Sequence, residues 1–165
     1  MVPILVDGDK TFCESDLISW YIAEKFPTGT KLIPKDLGER LKMRMFINNY
    51  ASKIITSFYS FKDWSLKSED EKEKLCEKAR SNFEEFEKAL VLPYAMGEDF
   101  TLADIMIYPW FERWPVLEHY VKLSIDKKNE KILKWIENIQ KRESVKKTRQ
   151  SDEYYIEGYK SYFPE

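Results

Sequence analysis

Two short extended segments at the N-terminus, followed by nothing but helical spacing, limit what this chain can fold into more than any other feature. Val2 to Val6 is a short apolar run, Asp7-Gly8-Asp9-Lys10 is turn chemistry, and Thr11-Phe12-Cys13 is extended again, a pattern that predicts a β-hairpin. Two strands alone are marginal in water, and the Val2 strand carries an unpaired backbone edge unless something covers it. Residues 1–27 therefore read as an incomplete sheet unit leading into a helical domain, so any active site is expected to be partly present at best.

From Ser15 the spacing turns helical, with Leu17, Ile18, Tyr21 and Ile22 on one face and Phe26-Pro27 ending the run. The stretch 28–36, with Gly29 and Pro34, reads as a linker. Residues 37–64 carry Leu41, Met45, Ile47, Ala51, Ile54, Ile55 and Phe58 with no proline or glycine after Gly38, which predicts one long helix with an aromatic end at Phe58, Tyr59, Phe61 and Trp64. Ser68-Glu69-Asp70-Glu71 is a capping box that should start another helix, continued by Leu75, Ala79, Phe83, Phe86 and Leu90 and stopped before Pro93. A last helix is expected over 126–142, on Ile132, Leu133, Trp135, Ile136 and Ile139, before a tail holding Tyr154, Tyr155, Tyr159, Tyr162 and Phe163.

The sharpest local signal is Phe100-Thr101-Leu102-Ala103-Asp104-Ile105, where Thr101 caps a helix, Asp104 reciprocates three residues on, and Phe100 staples onto Ile105. Asp104 reads as a buried cap that fixes where a central helix begins, in preference to a general base. The same helix runs into Tyr108-Pro109-Trp110-Phe111-Glu112-Arg113-Trp114, where Pro109 removes an internal hydrogen bond and should bend it. The aromatics Phe58, Tyr59, Trp110, Trp114 and Tyr155 read as core in preference to a substrate wall.

Other functions are disfavoured by what the 165 residues contain. With 34% charged residues but a net charge of only -2, both signs are interspersed and no basic stripe for nucleic acid is expected. No apolar run approaches the ~20 residues that cross a bilayer, and the N-terminus lacks signal-peptide layout, so the cytoplasm is the expected compartment. Cys13 and Cys76 stand far apart without CxxC spacing, which argues against a disulfide framework or a structural metal. Cys76 reads as a small packing residue, and His119, the only histidine, as a surface or structural one. No metal ligand set and no Ser-His-Asp cluster can be assembled.

Val2-Pro3 followed by Cys13-Glu14-Ser15-Asp16 puts a strand-opening proline beside a helix N-terminus, a combination suited to a peptide-like anion. A cis Val2-Pro3 bond would expose the Val2 amide and carbonyl to an extended ligand. Ser15 offers a hydroxyl beside free helix amides for a carboxylate, and Glu14 could meet an ammonium group. The plainer alternative is that Ser15 caps its own helix and Glu14 is solvated; spacing alone does not separate the two.

On these residues the chain resembles the cytosolic glutathione transferases. Val2-Pro3, the Asp7-Gly8 hairpin, Glu14-Ser15, the Ile18 and Tyr21 helix and Leu32-Ile33-Pro34 are similar to the second half of that family's thioredoxin-like domain. Thr101 to Asp104 is similar to its capping box, and residues 108–114, with the Leu133-Lys134-Trp135 helix and the aromatic tail, resemble the omega class. The resemblance implies a mostly α fold: a partial thioredoxin-like unit, hairpin plus helix, in 1–27, a linker in 28–36, and the all-helical glutathione-transferase C-terminal domain in 37–165. It also implies glutathione as substrate or ligand, with Val2 bonding the cysteinyl part, Pro3 in cis, and Glu14 and Ser15 holding the γ-glutamyl end. Complete omega members use a cysteine at the end of a first strand for thiol transfer or dehydroascorbate reduction. That β-α-β portion should precede Val2, so the chain is expected to start at an internal methionine and to be non-catalytic as it stands. Cys13, in a position that is ordinarily strand, is not assigned as nucleophile, and no catalytic residue is named. The expected partners are glutathione and either a second copy or a larger assembly, in which a non-catalytic subunit or docking module is the alternative role.

Overall fold

In the computed structural model, residues 2–27, 29 and 31–164 are described; Met1, Thr28, Thr30 and Glu165 lie outside them, and with them two positions of the expected linker. Strands β1 (Ile4–Asp7) and β2 (Lys10–Cys13) pair antiparallel from Ile4 opposite Cys13 to Asp7 opposite Lys10. Gly8, at φ 64, opens the two-residue connection, a backbone setting a side chain would resist. Helix α1 (Ser15–Lys25) folds back on the hairpin. The Phe12 ring lies 4.4 Å from that of Tyr21, and Tyr21 and Lys25 both donate to the Asp7 carboxylate. Those two donors, Lys25 first, hold the Asp7 carboxyl below the usual range. Of the expected α1 face only Ile18 is buried, while Leu17 is 50% exposed and Ile22 is also open to solvent.

Asp36 caps helix α2 (Leu37–Ser60) by accepting from the Glu39 amide at 2.9 Å. Its core stripe is Met43, Ile47, Ala51, Ile54 and Phe58, a three-to-four-residue rhythm. Leu41 and Met45, expected on that stripe, are 56% and 62% exposed instead. Each stands two residues from Met43, roughly 200° around a 3.6-residue helix, so burying Met43 turns both outward. The helix stops at Ser60, short of the expected Trp64, because Asp63 takes a left-handed conformation at φ 57 and a single 3₁₀ turn follows over Trp64–Leu66. The Asp63 amide then donates to the Tyr162 carbonyl, tying this corner to the tail.

Helix α3 (Glu69–Ala89) begins at the expected capping box, with the Ser68 amide 2.9 Å from Glu71 Oε2 and the Glu71 amide 3.3 Å from Ser68 Oγ. Helix α4 (Leu102–Glu112) runs through the middle of the domain along α2, burying Leu102, Ala103, Asp104, Ile107, Tyr108 and Phe111. Helix α5 (Pro115–Tyr120) follows, and α6 (Glu130–Gln140) packs against α3 and α4. The centre is aromatic. Trp135 meets Phe86 and Phe111, each at 5.3 Å, and Trp114 lies 4.6 Å from Phe83. Edge-on pairs of this kind add to the large area each ring removes from water.

Helix α6 is shorter than the expected 126–142. Asp126 accepts the Lys128 amide at 3.0 Å and its carbonyl takes the Asn129 amide, so the residues before Glu130 form a turn. The tail is more ordered than its composition suggests, holding helices α7 (Glu143–Thr148) and α8 (Asp152–Gly158) and a 3₁₀ turn at Lys160–Tyr162. Tyr155 and Phe163 are buried, and the Phe163 ring stacks on Tyr120 at 4.7 Å. Among the described residues no helix is long and apolar enough to cross a membrane.

Candidate functional site

The N-terminal residues with ligand chemistry converge at the open end of the hairpin. The last strand pair is Ile4 opposite Cys13, so Val2-Pro3 leads into this end of the hairpin and Glu14-Ser15 leads out of it. The Val2-Pro3 bond is cis and Val2 is 89% exposed. Glu14 leaves the strand with φ 68 and ψ 118 and precedes Ser15, the first residue of α1. Among the described residues no side chain caps this helix; Ser15 is its first residue and not its cap, and Glu14 is exposed. The first amide inside the helical ladder is that of Ile18, bonded to the Glu14 carbonyl at 3.0 Å. The N–H groups of Ser15, Asp16 and Leu17 thus precede the ladder, as the first amides of any helix do. They present the positive end of the helix beside a free hydroxyl and a free carboxylate. Asp16 leans away to Arg44 of α2 at 3.8 Å.

Asp104 fastens the helical domain. It is 0% exposed, and its Oδ2 takes the Thr101 amide at 2.9 Å while Thr101 Oγ1 takes the Ala103 amide. Its Oδ1 accepts from the Ala95 amide at 2.7 Å and from Trp135 Nε1 at 2.8 Å, two partners that the local motif does not reveal. Burial pushes the Asp104 carboxyl above the usual range, against the pull of the Thr101, Trp135 and Ala95 donors. The Leu102 amide bonds the Leu32 carbonyl at 2.9 Å, so the start of α4 also anchors the segment that joins α1 to α2.

The aromatic set divides. Phe58, Trp114 and Tyr155 are buried as expected of core, whereas Tyr59 is 41% exposed and its ring lies 5.5 Å from the half-buried Trp110. The Arg113 guanidinium sits over both Trp110 and Tyr155, at 5.7 and 5.3 Å. Phe100 and Ile105 face one shallow cavity, and the Phe100 ring also carries the Arg142 guanidinium at 3.8 Å. Cys76 is half-buried against the core, and burial pushes its thiol up, in keeping with packing. His119 is exposed beside the Tyr120 ring. Cys13 is exposed at the end of β2. No group of three or more metal-ligating side chains occurs among the described residues.

Residues 69–138 match the family described as glutathione S-transferase, C-terminal domain. Glutathione S-transferase U19 of Arabidopsis thaliana is 26% identical over 99% of this chain and 76% of its own length. Glutathione S-transferase 3 of Glycine max is also 26% identical, over 89% of this chain and 66% of its own. The chain thus spans about two thirds to three quarters of these curated relatives. Among solved structures, glutathione transferase Omega 3C from Trametes versicolor superposes with a TM-score of 0.84 at 22% identity, covering 98% of this chain and 69% of that one. The Tau class glutathione S-transferase MiGSTU from mango gives 0.81 at 22% identity, over 97% and 75%. The fold is that of a glutathione transferase, mostly helical with a small two-stranded sheet at its N-terminus. Within it, residues 69–138 are similar to the glutathione S-transferase C-terminal domain.

Proposed function

We propose that this chain is a glutathione-binding protein of glutathione transferase type, of omega class, whose own residues do not carry out the transfer. Glutathione would lie along Val2-Pro3, its cysteinyl part bonded by the Val2 backbone, with the γ-glutamyl carboxylate on the Ser15 hydroxyl and α1 amides and its ammonium on Glu14. The observation that carries this reading is the uncapped start of α1 at Glu14 and Ser15, at the same end of the hairpin as exposed Val2. The class rests on the likeness of residues 108–114 to omega members. The same proposal takes 1–27 as the second half of a thioredoxin-like domain, 28–36 as linker, 37–165 as the helical domain, and the cytoplasm as compartment.

Isothermal titration with reduced glutathione tests the binding half. Saturable binding is expected, weakened about tenfold or more by Ser15→Ala and by Glu14→Gln, since each loses a charge-assisted hydrogen bond. Equal affinity in all three proteins would refute the placement. The non-catalytic half is tested by glutathione-dependent reduction of dehydroascorbate or hydroxyethyl disulfide, for which no turnover is expected. Turnover abolished by Cys13→Ser would overturn it.

A second reading, a subunit role, is favoured by the α1–α2 surface. Phe12, Leu17, Trp20 and Leu41 border a groove of about 570 Å³ with Arg40 and Arg44. Arg40 pairs with Glu24 and Arg44 with Asp16, so one patch offers both signs to a second copy meeting it across a two-fold axis. Sedimentation velocity should give a dimer that Leu17→Glu dissociates. A monomer at all concentrations would remove this reading.

A further inference from the structure

We propose that the cleft enclosed by α4, α7 and α8 binds a small apolar amine. It holds about 410 Å³, within the size range of small-molecule sites, and Phe100, Ile105, Tyr108, Pro109, Ile139 and Val145 give it mainly apolar walls. Ile105, Tyr108, Pro109 and Glu112 recur at intervals of three and four residues, so one face of α4 lines the cleft and carries Glu112 with it. Trp110 stands two residues from both Tyr108 and Glu112, roughly 200° around the helix, so the cleft lies away from the Tyr59–Trp110 pair.

The charge in this apolar setting is the carboxylate of Glu112, which is half-buried and so still open to the cleft. Its Oε1 accepts the Tyr155 hydroxyl from α8. The arginines around the cleft are committed elsewhere. Arg113 gives Nη1 to the Pro109 carbonyl at 2.6 Å and lies over the Trp110 and Tyr155 rings. Arg142 gives Nη1 to the Tyr94 hydroxyl at 3.3 Å and lies over the Phe100 ring, while Arg149 pairs with Asp152 at 3.3 Å. Glu112 is thus left with a neutral phenol for a partner and a second oxygen that takes no bond from the protein. A carboxylate drawn partly out of water among carbon atoms gains more from a cation than an exposed one does. An ammonium on a short apolar body meets both demands: it donates to Glu112 while its carbon skeleton covers Ile105, Tyr108 and Val145.

2-Phenylethylamine is a suitable probe, with 3-phenylpropionate, of opposite charge, and 2-phenylethanol, uncharged, as separate arms. Binding is read by calorimetry and by the methyl signals of Ile105, Ile139 and Val145 in a ¹³C–¹H spectrum. The expected result is saturable one-to-one binding of the amine that shifts those methyls, with the acid and the alcohol each binding at least about tenfold more weakly. Glu112→Gln keeps an acceptor for the Tyr155 hydroxyl but removes the charge, and should bring the amine down to the affinity of the alcohol. Ser144→Trp, at an exposed position on the rim, should block the cleft to every probe, whereas Lys147→Ala, exposed and outside the lining, should change nothing. Unchanged amine affinity in the Glu112→Gln protein, or no saturation up to about 10 mM amine, would overturn the proposal. Binding of 3-phenylpropionate as tight as that of the amine would also overturn it, since the arginines and not Glu112 would then set the preference.

Discussion

Replacing Asp104 should damage this fold more than any other single polar substitution, and in a graded way. Its carboxylate satisfies three buried N–H groups, from Thr101, Ala95 and Trp135, which join the start of α4, the 90–100 loop and α6 at one point. Removing an acceptor orphans each donor at roughly 1–3 kcal/mol, so Asp104→Ala should cost about 3–9 kcal/mol, against a total stability of about 5–15 kcal/mol for an ordinary domain. Asp104→Asn is milder. With its amide oxygen at the Oδ1 position it keeps Ala95 and Trp135, but it turns an NH₂ toward the Thr101 amide, for a cost of about 1–3 kcal/mol. Urea unfolding followed by far-UV circular dichroism measures both, and the Asn variant decides the matter if the Ala variant fails to fold. An Asn variant within about 0.5 kcal/mol of the parent, or an Ala variant no worse than the Asn one, would refute the reasoning.

Glu87 of α3 caps α6 from outside, accepting the Lys131 and Ile132 amides at 2.8 Å each, so Glu87→Ala should cost about 1–2 kcal/mol in the same urea assay and expose the α6 amides to hydrogen exchange. Phe86→Ala, at the centre of the aromatic core, should cost about 3–5 kcal/mol; a value under about 1 kcal/mol would show that the core collapses around the gap. Acid should weaken the fold. Asp7, Glu71 and Glu137 all have carboxyls held below the usual range, Glu137 at about 2 by Lys141 and Lys134. A depressed folded-state pKa contributes stability above the unfolded value that is lost as pH falls through the folded one, here from about 4.5 down to about 2 for Glu137. Asp104, raised by burial, acts in the opposite sense, contributing most below its unfolded value and losing that contribution as pH rises. The urea midpoint should therefore fall over that acid range, with a shallower fall in Lys141→Ala; a flat profile would contradict the sign.

What could be read from the chain in advance was what is local. Both capping boxes lie within three residues, and Ser68 with Glu71 and Thr101 with Asp104 start helices where expected. The hairpin and the helix after it follow from turn chemistry and a change of period, and they hold. What was missed depends on contacts far apart in sequence. Ala95 and Trp135 reach Asp104 from 9 and 31 residues away, and Glu87 reaches α6 from 44. Leu41 and Met45 looked like core because an apolar list does not say which of several stripes on a 24-residue helix is turned inward; α2 packs on α3 and α4 with the Met43 stripe buried. At the candidate site, Val2, Pro3, Glu14 and Ser15 could be chosen from residue type and spacing. The left-handed backbone at Glu14 could not, since glutamate has no preference for it.

The central claim, that the end of the hairpin and the start of α1 form a glutathione site, is tested most directly by titrating the ¹⁵N-labelled protein with reduced glutathione and following every backbone amide. Saturable shifts should concentrate at Val2, Glu14, Ser15 and Asp16 and leave α6 unmoved. Shifts confined to other elements, or none at saturating glutathione, would contradict it.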